Sequence, residues 1–205
     1  DQQFKNRKIT SDIFELRFAR MGEPSYNMNV IDLLKEIPSR YTYNFMIPSL
    51  ATIAPSANGD FFEKLMHVKK VFYPDTFQLR ISLHSTDIQQ RNHILPVSKM
   101  SFAEIANYGT RFFDTKGEKI TLFFPLTNKS VISAEVLEQF FNPEVFKIKL
   151  NPINPSIKFI MEGPENAVRK ISQNPFLLED LTDADYEVEV SFSEWEENNV
   201  GVNCR

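Results

Sequence analysis

The polar residues that could do chemistry lie where apolar stretches of the sequence end. Gly22 and Glu23 follow an alternating segment that ends at Arg20, and they combine an approachable backbone with one carboxylate, which suits an ammonium group or a ribose hydroxyl. Ser82 and His84 close another alternating segment, and period-two alternation predicts that both side chains point to the same side. Taken alone, each pattern is more often structural, as a strand-to-helix turn or a hydrogen-bonding strand end.

Three further residues follow apolar stretches or stand alone. Ser49 lies near the end of the stretch at 42–50, which closes in Pro48-Ser49-Leu50, and Asn154 lies in a proline-rich turn after 145–151, where Asn usually caps or turns the chain. Cys204 is the single cysteine, so the chain has no internal disulfide and no self-contained cysteine-ligated zinc or iron–sulfur site. His67 and His93 lack spaced carboxylate or cysteine partners, and we expect no metal site.

The elements that must position these residues alternate between strands and helices. Strands are predicted at 13–20, 42–50, 77–84, 119–126, 145–151 and 186–192, and helices at 29–37, 60–72, 101–113, 133–141 and 164–172. Pro38 is expected to end the first helix, and Ser101 with Glu104 forms a capping box for the third. The alternation predicts a parallel sheet with helices outside, either a partial barrel or an open doubly wound sheet.

A parallel sheet would bring the polar strand ends together. Ligands of such folds bind at the carboxyl ends of the strands, where the loops are free to vary. We therefore expect the polar residues that follow four of the strands to lie together along one edge of the sheet. These strand exits are Gly22 with Glu23, Ser49, Ser82 to His84, and Asn154.

Length and composition favour one domain, 1–205, without a membrane segment. The 205 residues are 42% hydrophobic and 13% aromatic, which is enough for one sizeable core. No apolar run reaches about 18 residues and the N-terminus is not a signal peptide, so we expect a cytoplasmic protein. The net charge of −4 argues against binding nucleic acid through a global positive field, although a local basic patch remains open.

Read together, several stretches resemble one known family. MGEP at 21–24, the serine of PSL at 49, ISLHSTDIQQRNHILPVSK at 81–99, KIKLNPINP at 147–155 and the near-terminal Asn203-Cys204 occur in this order. They resemble the later part of the RlmN/Cfr family, radical S-adenosylmethionine (SAM) methyltransferases that modify an adenosine carbon in ribosomal and transfer RNA. The resemblance covers about residues 13 to 204.

The resemblance implies a fold and a cofactor set. The family has a partial (βα)6 TIM-like barrel, so the segment 13–20 would be its second strand, and the chain would hold strands 2 to 6 plus a C-terminal extension. The first strand and the loop after it, with the CxxxCxxC cysteines that ligate a [4Fe–4S] cluster, would lie outside this chain. The cofactors implied are SAM and that cluster, and this chain alone would be inactive.

The resemblance also implies roles for individual residues. Gly22 and Glu23 would hold the amino end of SAM. Its ribose and carboxylate would be lined by Ser49 and by the segment Ser82, Leu83 and His84, and Asn154 would complete the pocket. Cys204 matches the family's methyl-carrying cysteine, which takes a methyl group from one SAM and is attacked by the radical formed from a second.

Partners and alternatives follow from the same resemblance. An RNA substrate and an electron donor such as flavodoxin or ferredoxin are implied, while the acidic Glu194, Glu196 and Glu197 stand where basic residues would suit RNA. A missing first strand would leave a sheet edge open to dimerisation. Two other functions stay open: another radical SAM oxidoreductase acting on a protein or small molecule, and a cluster-free scaffold or binding module.

Overall fold

The alternation of strands and helices predicted from the sequence is present in the structure. The computed structural model describes residues 12–20, 22–41, 43, 45–153 and 163–192. The strands are β1 Ile13–Phe18, β2 Phe45–Thr52, β3 Gln78–Ser82, β4 Ile120–Leu126, β5 Phe146–Pro152 and β6 Val188–Val190. The helices are α1 Asn29–Arg40, α2 Gly59–Phe72, α3 Ile88–Ile94, α4 Phe102–Phe112, α5 Ala134–Phe140, α6 Pro164–Ile171 and α7 Leu177–Asp183.

The six strands form one parallel sheet in the order β1-β2-β3-β4-β5-β6. Each strand pairs with the next strand in the sequence, as in the register Arg17 to Ser49 to Gln78 across β1, β2 and β3. Since the strands are parallel, each connection must return to the amino end of the sheet, and the helices between strands do this on the outside. The predicted α/β class with a parallel sheet is therefore confirmed.

The two faces of the sheet differ in burial because the strand sequences alternate. One face packs against the helices and carries fully buried side chains such as Leu50, Leu79 and Leu122. The opposite face carries polar and half-buried side chains, including Ser49, Arg80 and Ser82. A sheet with one apolar and one polar face is open on the polar side, which suits a partial barrel with a wet interior.

The first helix does not end at Pro38, which lies inside α1. A proline in a helix has no N–H to donate to the carbonyl four residues earlier, and here that carbonyl belongs to Leu34. The hydroxyl of Tyr73, the residue directly after α2, donates a hydrogen bond to this oxygen at 2.7 Å. The Leu34 carbonyl therefore has a donor although Pro38 offers none. The predicted end of this helix was wrong because a tertiary hydrogen bond compensates for the missing one.

Two other boundaries differ from the predictions at positions that affect the site. β2 continues to Thr52, so Ser49 lies inside the strand rather than at its exit. The continuation is held by pairing of Ala51 with Arg80 and of Thr52 with Ile81. β3 ends at Ser82, so the period-two alternation predicted to reach His84 stops two residues before it.

Candidate functional site

The carboxyl ends of the strands share one edge of the sheet, and we call this edge the rim. β1 leads through Gly22 to Glu23, which caps the short 3₁₀ turn Pro24–Tyr26. β3 leads directly into Leu83 and His84. Because both strands are parallel members of one sheet, the structure places these two predicted exits on the same rim.

The carboxylate of Glu23 joins the exit of β1 to the end of β2. Its Oε1 accepts hydrogen bonds from the backbone N–H of Ser25 at 3.1 Å and from the hydroxyl of Thr52 at 2.5 Å. Its Oε2 accepts from the backbone N–H of Ile53 at 2.9 Å. A carboxylate has about four acceptor positions, so three donors leave room for one more at a half-buried site.

Three exits contain a non-glycine residue in the left-handed backbone region. Arg20, Ala54 and His84 have φ values of 70°, 56° and 67°, and each lies two residues beyond the end of β1, β2 or β3. Such a conformation costs of order 1 to 3 kcal/mol for an ordinary residue and is found preferentially at functional sites. The same turn of the backbone therefore recurs at three neighbouring positions of the rim.

His84 is held by backbone contacts to β4 and is kept neutral. The N–H groups of Leu83 and His84 both donate to the carbonyl of Phe123, at 3.0 and 3.4 Å. Burial, and secondly the charge of Arg91, lower the pKa of the His84 imidazole to about 4. At neutral pH the imidazole therefore offers one donor and one acceptor without a charge.

Ser49 shares the polar face with Ser82 but lies well below the rim. Ser49 pairs with Gln78, which precedes Ser82 by four residues along β3. At a rise of about 3.3 Å per residue, Ser49 and Ser82 are separated by about 13 Å along the strand direction. The structure thus brings Glu23 and the Ser82 to His84 segment to the rim and leaves Ser49 deeper on the polar face.

The remaining predicted residues, Asn154 and Cys204, lie outside the described residues. In the described ranges, no group of three or more His, Cys, Asp or Glu side chains could hold a metal ion. In the same ranges, no helix is long and apolar enough to cross a membrane.

Arg91, on α3, is a rim residue to which the sequence analysis gave no role. Its side chain is only 5% exposed, its Nη1 donates to the carbonyl of Met100 at 2.9 Å, and its guanidinium lies over the ring of Phe102. Nothing in the sequence distinguishes this arginine from the exposed polar residues beside it, since its burial results from the return of the chain at 97–101.

Comparison with known proteins agrees with the motifs. No family model matches the chain. Over 163 residues it is 27% identical to the "Probable dual-specificity RNA methyltransferase RlmN" of Chlorobium phaeobacteroides, an alignment that covers 75% of this chain. The chain spans 42% of the length of that curated relative.

The fold is that of a solved radical SAM protein. The crystal structure of a radical SAM methyltransferase from Sphaerobacter thermophilus superposes with a TM-score of 0.63 at 18% identity, covering 90% of this chain and 52% of that one. Sequence and fold together confirm the predicted resemblance: this chain is similar to the RlmN/Cfr-type radical SAM enzymes, and its fold matches about half of the solved radical SAM methyltransferase.

Proposed function

We propose that the chain is the SAM-binding part of a radical SAM methyltransferase that modifies an adenosine in RNA. The observation that carries the proposal is the shared rim, where Glu23 follows the carboxyl end of β1 and the segment Ser82 to His84 lies at the carboxyl end of β3, with β2 between these two parallel strands. The similarity to a relative described as an RNA methyltransferase supports the reaction class and the substrate.

The rim residues fit the chemistry of SAM. The carboxylate of Glu23, with Gly22 beside it in an open turn of φ 95°, has one acceptor position left for the ammonium group. The neutral imidazole of His84 can exchange hydrogen bonds with ribose hydroxyls or the cofactor carboxylate. Ser82 and Leu83 line the same end of β3.

Ser49 and Asn154 complete the proposed set. Ser49 lies deeper on the polar face, where a hydroxyl can contact the buried end of an extended ligand. Asn154 follows β5 by two residues and belongs to this set by the family resemblance alone.

The cluster and the methyl carrier have different sources. A bound [4Fe–4S] cluster would supply the electron for reductive cleavage of SAM, because protein side chains cannot deliver that electron. An electron donor such as flavodoxin or ferredoxin would then reduce the cluster again. Because the chain has one cysteine, the cluster thiolates would come from a preceding segment of the full-length protein. Cys204 would then serve as the methyl carrier.

The cofactor assignment is tested by titrating the 205-residue chain with SAM in a calorimeter. Glu23→Gln and His84→Ala should each weaken binding by tenfold or more, because each loses one hydrogen bond to a charged or polar cofactor group, at about 1.4 kcal/mol per tenfold. Glu144→Gln, on the surface before β5, serves as the matched control. Unchanged affinity in both rim variants would remove the proposed site.

The methyl-carrier assignment needs the full-length protein with its cluster. Mass spectrometry after turnover with SAM should find a methyl group on Cys204, and Cys204→Ala should lose both the modification and RNA methylation. A Cys204 that stays unmodified while RNA is methylated would overturn this role.

A second candidate is favoured by charge. The net charge of −4, with Glu194, Glu196 and Glu197 near Cys204, suits a radical SAM enzyme whose substrate is a protein or small molecule better than one that neutralises phosphates. Methylation of RNA by the full-length protein, reconstituted with its cluster, would support the RNA methyltransferase and exclude this second candidate.

We also propose association through the edge of the sheet. Within the described part of the chain the strand paired with β1 is β2, and the family resemblance places the missing first strand at the opposite edge of β1. Light scattering at high concentration should show dimers of the 205-residue chain. A strictly monomeric species would contradict this.

A further inference from the structure

A pocket of about 330 Å³ lies on the rim beside the proposed cofactor site. It is lined by α3, by the segment 97–101 and by the start of α4, and we call it the Arg91 pocket. The segment is fixed to the exit of β2, because the N–H of Met100 donates to the carbonyl of Ala54 at 2.8 Å and Lys99 forms a β-bridge with Pro55. The Arg91 pocket therefore belongs to the functional edge of the sheet.

The buried guanidinium of Arg91 has unused donors. Nη1 donates to the Met100 carbonyl, whereas Nε and Nη2 are buried and have no hydrogen-bond partner. Burial lowers the pKa of Arg91 to about 10, so the group keeps its charge at neutral pH. Within the described residues no carboxylate forms an ion pair with it. Buried arginines are nearly always paired, because an uncompensated buried charge is costly.

The other polar groups of the pocket do not supply the missing anion. Lys99 Nζ adds a second positive charge and donates to the side-chain oxygen of Asn92 and to the carbonyls of Leu95 and Val97. The carboxylate of Glu104 is held by the N–H and the hydroxyl of Ser101, both at 2.7 Å, as part of the capping box. The pocket thus has excess positive charge next to two free donors.

The positions of the free donors indicate the shape of the ligand. In a guanidinium, Nε and Nη2 lie on the same side and direct two N–H bonds in parallel, which matches two oxygens of one phosphate or carboxylate group. The Arg91 pocket is therefore suited to an anion that presents two oxygens, such as a phosphate group.

We propose that the Arg91 pocket binds a phosphate group of the substrate through Nε and Nη2 of Arg91, with Lys99 adding long-range attraction. Given the proposed function, on which this source of the ligand rests, the group is a phosphodiester of the RNA next to the target nucleoside. Both donors are buried in the structure, so neighbouring side chains must shift to admit the phosphate, while Nη1 keeps its hydrogen bond to the Met100 carbonyl.

Inorganic phosphate is the first probe, added to the 205-residue chain while thermal unfolding is followed. Phosphate should raise the unfolding temperature of the wild type, and its apparent affinity should fall about tenfold or more in Arg91→Met, which removes two charge-assisted hydrogen bonds. Arg111→Met is the matched control, because Arg111 is an exposed arginine of α4 paired with Glu63. Equal phosphate affinity in the wild type and Arg91→Met would overturn the proposal.

Phosphate binding can also be measured directly on the wild-type protein, so the test does not depend on whether Arg91→Met folds. The ¹⁵N-labelled side-chain N–H of Arg91, observed by NMR, should shift and exchange more slowly with water when phosphate is added. An Nε–H resonance that does not respond at saturating phosphate excludes the site.

A single-stranded RNA oligonucleotide separates this proposal from the proposed function. RNA binding that weakens in Arg91→Met, with SAM affinity unchanged, supports both. RNA binding equal in the wild type and Arg91→Met overturns the phosphate contact and leaves the proposed function standing. Arg91-dependent phosphate binding without RNA binding retains the subsite and removes the RNA assignment.

Discussion

The carboxylate of Glu23 should stabilise the fold as well as bind the cofactor. It accepts hydrogen bonds from Ser25, Thr52 and Ile53, and the last two belong to the end of β2 and the loop after it. Because Glu23 follows β1, its bonds to Thr52 and Ile53 connect the exit of β1 to the exit of β2. Thr52 and Ile53 are 29 and 30 residues from Glu23 in the sequence. Replacing the carboxylate should therefore loosen the rim even when no ligand is bound.

The expected magnitude follows from the number of bonds. A hydrogen bond to a charged group contributes about 1.5 to 3 kcal/mol, and a buried donor left without a partner costs about 1 to 3 kcal/mol. Glu23→Gln keeps one oxygen but turns an NH₂ group toward a donor, so its free energy of unfolding should fall by about 2 kcal/mol. Glu23→Ala leaves all three donors without their acceptor and should lose more, about 3 to 5 kcal/mol.

Urea unfolding without ligand measures this loss. With a slope of about 2 kcal/mol per molar urea, Glu23→Gln should lower the midpoint by about 1 M. Glu15→Gln is the matched control, because Glu15 is a surface carboxylate of β1 paired with Arg17 and should change stability by less than about 1 kcal/mol.

A Glu23→Gln midpoint that coincides with that of Glu15→Gln would refute this reasoning. The carboxylate would then contribute nothing to the fold, and the rim geometry would depend on the backbone alone. Thr52→Val adds a second check, because it removes one of the three donors and also the acceptor of the Ala54 N–H, and it should lose about 1 to 3 kcal/mol.

Three further predictions concern a titrating residue, a close contact and a helix cap. Because the pKa of His84 is about 4 in the folded protein, the unfolded chain takes up a proton at this histidine between about pH 6.5 and 4, whereas the folded protein does not. Stability should therefore fall by at most about 3 kcal/mol between pH 6.5 and 4, and His84→Asn should flatten this dependence in urea titrations. Gly109→Ala places a Cβ at 2.3 Å from the ring of Phe146 and should destabilise by about 1 to 3 kcal/mol, whereas Ala103→Gly on the exposed side of α4 should cost about 1 kcal/mol or less. Ser133→Ala removes the cap of α5 and should cost about 1 kcal/mol by the same assay.

Each of these has a clear contradicting result. An unchanged pH profile in His84→Asn would mean that the imidazole is hydrated and titrates normally. A Gly109→Ala protein as stable as the wild type would mean that Phe146 moves aside without cost, and an unaffected Ser133→Ala would mean that another acceptor caps α5.

The parallel sheet was predictable because it depends on patterns that repeat along the chain. Period-two apolar segments alternate with helical ones, and this alternation leaves few topologies other than a parallel sheet with outer helices. The capping box of Ser101 and Glu104 was equally accessible, since a cap is a local interaction of residues three apart. Both exits at Glu23 and Ser82 to His84 followed from the same patterns.

The misplaced features depend on contacts between residues far apart in the sequence. α1 continues through Pro38 because Tyr73 supplies the missing donor, and β2 continues past Ser49 because β3 pairs with it. The burial of Arg91 depends on the return of the chain at Met100. None of these contacts produces a local periodicity, so the sequence pattern could not indicate them.

The left-handed residues Arg20, Ala54 and His84 matter for anyone who tries to stabilise this protein. Glycine or asparagine accepts that backbone conformation at lower cost, so a screen for heat resistance would favour substitutions at these three positions. Glycine would also enlarge the set of shapes that each loop can sample before a ligand arrives. Selection for thermal tolerance alone would therefore enrich variants whose loops are less well prepared for binding.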